Sequence, residues 1–262
     1  MSFNGTAIVT GAAQGIGRAI ALRLADDGFD VALNDISAKL EELETLVAEI
    51  KQRGRQSSPH VGDVSQEEDV KRIITQVVEL HGGVDVMVAN AGIIHRRVPM
   101  TEFSAEEWDQ VMNVNARGVF LCYKYAGLQM IKQGRGGRII GASSINGKQA
   151  RPNLGAYSAS KFAVRGLTQS AAQEFGPHAI TVNAYAPGAI DTPMMASFVE
   201  DPAAFRETNM SPLKKIGVPE DMASLVSFLA SKESQFITGQ TVSHHNHSGR
   251  NRMLSFSALD ID

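Results

Sequence analysis

Thr6-Ala7-Ile8-Val9-Thr10-Gly11-Ala12-Ala13-Gln14-Gly15-Ile16-Gly17 decides the fold. A short apolar strand runs into a glycine-rich turn. Ile16, Ala19, Ile20 and Leu24 then recur at helical spacing. Glycines between a first strand and a first helix permit a tight turn, close backbone approach to a pyrophosphate and close helix–strand packing. The helix N-terminus beyond them offers unpaired N–H donors to an anion. Gly11, Gln14, Gly15, Ile16 and Gly17 are therefore candidate dinucleotide contacts.

The pattern continues outward from this unit. Val31–Leu33 reads as a second strand, Leu40 to Ile50 as a helix ending near Gly54, and Gln56–Val61 as a third strand. A helix over Val70–Leu80 and a strand over Val84–Ala89 follow. A long helical pattern then runs from about Ala105 to Lys132, before a strand at Arg138–Ala142. Helix (about 157–175) and strand (about 179–185) complete the alternation, with a loop and shorter helices after them. Strands alternating with helices imply a parallel sheet covered on both faces, an α/β doubly wound, Rossmann-like fold. Without a linker or repeat, residues 1–262 read as one domain. The Pro-containing stretch 187–215 is long enough to be a substrate loop.

Asp35 ends the second strand, 18 residues after Gly17. A carboxylate there accepts from a ribose 2′-OH and repels a 2′-phosphate. Ile36 follows where a cation would serve the phosphate, and Arg18 belongs to the helix, so the cofactor expected is NAD rather than NADP.

Tyr157 and Lys161, four residues apart, share a helix face. A phenol with a pKa near ~10 is a poor catalyst at neutral pH, but a neighbouring ammonium lowers it. The pair can then move a proton to or from an alcohol oxygen.

Composition narrows the classes. Apolar content of 43% is ordinary for a globular protein, and a net charge of −3 gives no reason to expect nucleic acid. No apolar run reaches the ~18–20 residues of a membrane span. The N-terminus lacks a secretory pattern, and the single Cys122 cannot pair internally and reads as a core thiol. A cytoplasmic location is expected.

Taken with Gly62-Asp63-Val64, Asn90-Ala91-Gly92, Asn113-Val114-Asn115, Ser143-Ser144 and Pro187-Gly188, these motifs resemble the short-chain dehydrogenase/reductases, from residue 5 to about 242. The resemblance implies nicotinamide-dependent oxidation of an alcohol or reduction of a ketone. It implies a catalytic set of Asn115, Ser144, Tyr157 and Lys161, with Ser144 standing 13 residues before Tyr157. Tyr157 would be the acid–base. Lys161 would tune it and bind the nicotinamide ribose, Ser144 would hold the substrate oxygen, and Asn115 would bend its helix and anchor a relay water. Asp63 and Val64 would meet the adenine, and Asn90, Ala91 and Gly92 the ribose side. Pro187, Gly188, Ile190 and Thr192 would hold the nicotinamide. A homotetramer, or at least a dimer through the helices near 103–132 and 157–175, is the family expectation.

The stretches 155–169 and 180–188 are similar to acetoin/diacetyl reductases and meso-2,3-butanediol dehydrogenases, which implies a small hydroxyketone, diketone or diol. Ile145, where a polar Gln would be expected in that subgroup, makes the wall more apolar. A terpenoid, steroid-like or sugar alcohol stays open, as does a non-catalytic nucleotide-binding protein. By family position, Ile94, His95, Asn146, Leu154, Met194 and Phe198 also line the pocket, with His95 read as an exposed loop histidine. Apolar alternation stops at Val242, so 243–262 reads as an atypical polar tail. Its His244, His245 and His247 lack a Cys or paired acid beside them, and no metal is expected.

Overall fold

The computed structural model describes residues 5–196 and 215–243. Its centre is a seven-stranded, all-parallel sheet in the order β3-β2-β1-β4-β5-β6-β7. The strands are β1 (Thr6–Thr10), β2 (Asp30–Asp35), β3 (Ser57–Val61), β4 (Val86–Ala89), β5 (Gly137–Ala142), β6 (Ile180–Ala186) and β7 (Thr241–Ser243). Every residue of β1, β4 and β6 is buried, as expected where helices cover both faces and side chains have no wet side.

One face is covered by α1 (Gly15–Asp26), α2 (Leu40–Gln52) and α8 (Pro219–Ala230). Ile20, Leu24, Leu43, Leu46, Ile50, Val226 and Leu229 pack there against Val9, Val31 and Leu33. The other face is covered by α3 (Glu67–His81), α5 (Gly118–Gln133) and α6 (Gly155–Phe175). Val70, Ile73, Val77, Leu121, Met130 and Val164 meet Ile8, Met87 and Ile139 there. Cys122 lies in this second core as expected, and burial pushes its thiol up to about 12.

The long helix expected over 105–132 is divided. α4 (Ala105–Met112) opens with a Ser104–Glu107 capping box, whose bonds measure 3.1 and 3.3 Å. A π-helical turn at Asn113–Arg117 separates it from α5. Such turns shift a helix's register and cluster at functional sites. β7 pairs Ala184–Ala186 with Thr241–Ser243, so the ordered strand includes Ser243, one residue beyond the expected break. The rest of the tail with its histidines, and residues 197–214 of the presumed substrate loop with Phe198, lie outside the described residues.

The strand order reverses between β1 and β4, which places the crevice of a doubly wound sheet at their carboxyl ends. The glycine loop follows β1, and Asn90-Ala91-Gly92 follows β4.

Candidate active site

A cleft of about 1540 Å³ opens at that crevice. Its volume exceeds the range of a single small-ligand pocket, roughly 300–1,000 Å³, and leaves room for a dinucleotide and a substrate. Gly11, Gln14, Gly15, Ile16, Gly17, Asp35, Ile36, Asp63, Val64, Asn90, Ala91, Gly92, Ser144, Tyr157, Lys161, Pro187, Gly188, Ile190 and Thr192 all line it. Among the expected site residues only Asn115 is off the wall, fully buried behind it.

The glycines act by close approach. A Cβ on Gly11 would lie 2.9 Å from the Ala91 Cα, and one on Gly17 would strike the Gly11 carbonyl and come within 2.6 Å of Asn90 Nδ2. Gly11 and Gly15 also take left-handed φ values of 62° and 54°. Asn90 fastens the loop. Its Nδ2 donates to the Thr10 carbonyl (2.8 Å) and the Gly11 carbonyl (3.1 Å), and its Oδ1 accepts from the Tyr185 hydroxyl (2.6 Å). Asn90, expected on the ribose side, lines the cleft while its side-chain amide bonds the glycine loop and Tyr185.

Asp35 accepts from the Ala13 N–H (3.1 Å) and the Ile36 N–H (2.9 Å), which aims its carboxylate across the turn while leaving lone pairs for a ligand. Arg18 is ion-paired with Glu49, and Lys39 with Glu42 at 2.7 Å. Among the described residues no Lys or Arg lines the cleft beside Asp35. Asp63 accepts from the Ser65 N–H at 2.9 Å, and Asn34 clamps its strand through the His60 and Gly62 carbonyls (2.9 and 3.0 Å).

The second half of the cleft is built by side chains from separate elements. Asn115, on the π turn, accepts from the Ile93 N–H (2.8 Å) and donates to the Ile93 carbonyl (2.8 Å) and Ser160 Oγ (3.2 Å). Ser160 in turn donates to the Tyr157 carbonyl at 2.7 Å. Asn115 sits in the π-helical turn that interrupts the helix, and its side chain ties the segment after β4 to the helix bearing Tyr157. It is a positioning residue.

Ser144 hydrogen-bonds the Tyr157 hydroxyl and accepts from the Asn146 N–H at 3.1 Å. Ser143 instead donates to the Lys161 carbonyl at 2.9 Å. Lys161, 4% exposed, donates to the Ala142 carbonyl (2.9 Å), and its Nζ lies 5.6 Å from the centre of the Tyr157 ring.

The electrostatics differ from the sequence expectation. Burial pushes the Tyr157 phenol above its ordinary value, outweighing the Ser144 hydrogen bond that lowers it. Burial also brings Lys161 down to about 8. Each charged form is disfavoured by the same apolar surroundings, so the ammonium by itself does not deliver a phenolate.

His95 corrects a second expectation. It is not exposed: it is 9% accessible, packed 4.3 Å from the Phe103 ring, and it lines the cleft. Thr192, read for the nicotinamide loop, also accepts from the Met195 N–H at 3.3 Å and caps the short helix α7 (Pro193–Ala196).

Asn34, Ser160 and Tyr185 support the site although the sequence reading gave them no role. Ser160 lies inside the Tyr157–Lys161 stretch, which is a local signal for it. Nothing local marks Tyr185, whose partner is 95 residues away.

A family model described as Enoyl-(Acyl carrier protein) reductase matches residues 11–246. A short-chain dehydrogenase/reductase of Armillaria gallica is 54% identical over 242 residues, 90% of this chain and 92% of that protein. The chain belongs to the short-chain dehydrogenase/reductase family. Within it, a 3-oxoacyl-[acyl-carrier-protein] reductase of Staphylococcus epidermidis is 42% identical over 239 residues, 91% of this chain and 96% of that protein. The crystal structure of an acetoin dehydrogenase from Salmonella typhimurium matches with a TM-score of 0.82 at 35% identity, covering 93% of this chain and 94% of that one. Short-chain dehydrogenase/reductases are oxidoreductases that use a nicotinamide nucleotide on alcohols and ketones, and the chain is an oxidoreductase of this family.

Proposed function

We propose that this protein moves a hydride between NAD(H) and a secondary alcohol or ketone, with Tyr157 as the acid–base. The observation that carries the reading is the convergence of Ser144, Tyr157 and Lys161 on one cleft whose far end is a glycine cradle with Asp35. The residues fit the cofactor. Gly11 and Gly17 leave backbone room that a Cβ would fill, Asp35 keeps free lone pairs while the nearby Lys39 is ion-paired with Glu42, and Lys161 has two ammonium hydrogens beyond the one given to Ala142. When bound, a nicotinamide supplies or accepts the hydride.

The protein handles the proton. Burial keeps the Tyr157 phenol protonated, which suits donation to the oxygen of a ketone being reduced. Ser144, bonded to the same hydroxyl, holds that oxygen in line. Lys161, still largely protonated at neutral pH, places a positive charge where negative charge develops.

A small hydroxyketone, diketone or diol of the acetoin/diacetyl type is the substrate read here, supported by the likeness to the Salmonella enzyme. A bulkier apolar ketone is a second reading, favoured by Ile145, Leu154 and Met194 along the wall. At least a dimer is proposed, supported by the exposed Trp108, Phe120, Leu128 and Phe162 on α4, α5 and α6. Among the described residues no helix is long and apolar enough to cross a membrane, and a cytoplasmic location belongs to the same proposal.

The test follows reduced-nicotinamide absorbance with NADH and NADPH against diacetyl, acetoin and cyclic ketones. NADH-dependent turnover is expected, and Tyr157→Phe lowers kcat by about 10³-fold while NADH still binds. Full turnover by that variant would remove Tyr157 from its role. NADH binding without turnover of any ketone would favour a non-catalytic nucleotide-binding protein.

A further inference from the structure

Tyr185, on β6, is among the largest side chains with no exposure at all. Its hydroxyl donates to Asn90 Oδ1 at 2.6 Å. Asn90 follows β4, and β5 runs between β4 and β6. Neighbouring strands lie about 4.8 Å apart, so this bond reaches across roughly 10 Å of sheet, a span that a phenol and a carboxamide together cover. Ala142, the β5 residue in register with Tyr185, adds only a methyl group to the same core and leaves the ring room. The Tyr185 carbonyl accepts from the Ser143 N–H at 2.8 Å, which anchors the ring's origin one residue from Ser144. The Asn90 carboxamide has no freedom to reverse. Its Nδ2 faces the Thr10 and Gly11 carbonyls (2.8 and 3.1 Å), which only accept, so Oδ1 must face Tyr185. Burial pushes the Tyr185 phenol well above its ordinary value, with the Tyr157 and Tyr123 phenols acting in the same direction, so it stays a donor. The Nδ2 held in this way sits where a Cβ on Gly11 would come within 3.1 Å and one on Gly17 within 2.6 Å. It is wedged against the two glycines whose backbone forms the cradle.

We infer that Tyr185 is a positioning residue for the cofactor: by holding Asn90 Oδ1 it fixes the glycine cradle, and thereby sets the affinity for the diphosphate of a dinucleotide. This inference rests on the nicotinamide-nucleotide reading above and deepens it. Without the hydroxyl, Oδ1 becomes a buried acceptor facing a ring edge, which is costly to leave unpaired. The carboxamide regains a partner only by turning from the loop, and turning gives up the Thr10 or Gly11 carbonyl. The side-chain bonds that hold Ser144, Tyr157 and Lys161 run to one another, to Asn146 and to Ala142. The loss therefore falls on binding rather than on proton transfer. An anchor on the strand that leads into Pro187-Gly188 governs a loop that follows β1.

The test is calorimetric titration of the wild type and Tyr185→Phe, which removes one oxygen and keeps the ring, with ADP and with NADH. ADP meets the cradle but carries no nicotinamide, so it separates the glycine loop from the Pro187-Gly188 loop. Both dissociation constants should rise about 10-fold in the variant. In turnover the loss should appear in KM for NADH, with kcat at saturating NADH falling less than about 2-fold. On an Asn90→Ala background, Tyr185→Phe should add nothing, because the partner of the hydroxyl is already gone. Unchanged ADP affinity in Tyr185→Phe overturns the inference, as does weakening toward NADH alone, which would place the effect in the nicotinamide loop. A fall in kcat with affinity intact also overturns it, because the hydroxyl would then act through Tyr157. So does a full effect on the Asn90→Ala background. General destabilisation would lower the number of binding sites in the titration while leaving their affinity unchanged, and that result counts against it too. A wild type that binds neither ADP nor NADH would break the underlying reading, whereas a binding wild type with an unaffected variant removes this inference alone.

Discussion

The two ends of the cleft are built on opposite plans. The β1–β3 end is made mostly of backbone: glycines at Gly11, Gly15 and Gly17, and one carboxylate aimed by two N–H groups. The β4–β6 end is made of side chains delivered by a π turn, a strand end and a long helix, and it holds a buried cation. Cradling an anion needs many weak donors in a tight curve, which a contiguous loop supplies. Moving a proton needs a few groups with shifted affinities, and desolvation is what shifts them. The first plan stores little electrostatic strain. The second carries a cost in stability at Lys161.

That contrast breaks most readily at Lys161. Its folded pKa of about 8 lies below the ordinary 10.5. Below pH 8 both folded and unfolded states hold the proton, and the full cost of burying the charge is felt. Between pH 8 and 10.5 the folded state sheds the proton first, so the cost declines as pH rises. Denaturant unfolding of the wild type and Lys161→Met, each without cofactor, should show the wild type gaining about 3 kcal/mol relative to the variant across that window. Parallel pH curves would mean that the charge is not strained.

At the backbone-built end the sensitive quantity is space. Gly17→Ala places a methyl against the Gly11 carbonyl and within 2.6 Å of Asn90 Nδ2. Overpacking of this kind costs about 2 kcal/mol, to be read as a fall in thermal midpoint together with weaker NADH binding by fluorescence titration. An unaffected variant would show that the loop is looser than the close contacts indicate.

The smallest effect sharpens the role of the Asp35 carboxylate at that end. Asp35→Asn leaves an acceptor but removes the charge that repels a 2′-phosphate. The preference for NADH over NADPH should fall about 10-fold, measured as the ratio of the two KM values. An unchanged ratio would move the source of cofactor choice away from Asp35.

Legibility in the sequence follows the same division. The glycine loop and Asp35 were readable because their residues are contiguous or one strand apart, and the chemistry follows from local spacing. Tyr157 and Lys161 were readable as a pair because a helix repeats every few residues. The long helix over 105–132 was read as continuous because a π turn adds one residue without disturbing the apolar pattern enough to show. Asn90 was visible through the Asn90-Ala91-Gly92 motif, whereas its bond to Tyr185, 95 residues later, is not. His95 was read as exposed for a related reason: Phe103 and the Arg96 carbonyl that enclose it are set by a loop with no periodicity.

The sequence by itself determined the strand–helix alternation, the glycine-rich loop, the acid after it and the Tyr157–Lys161 spacing from which the catalytic set is proposed. These depend on periodicity and on backbone rules that act within a few residues. Only the tertiary structure decided which polar groups are left without partners. Burial and long-range hydrogen bonds raise Tyr157, lower Lys161, spend Asn90 and Asn115 on positioning, and leave His95 Nε2 and Asn146 Oδ1 buried without a partner among the described residues. Desolvation and hydrogen-bond satisfaction belong to the whole packed chain, and no local stretch of sequence encodes them.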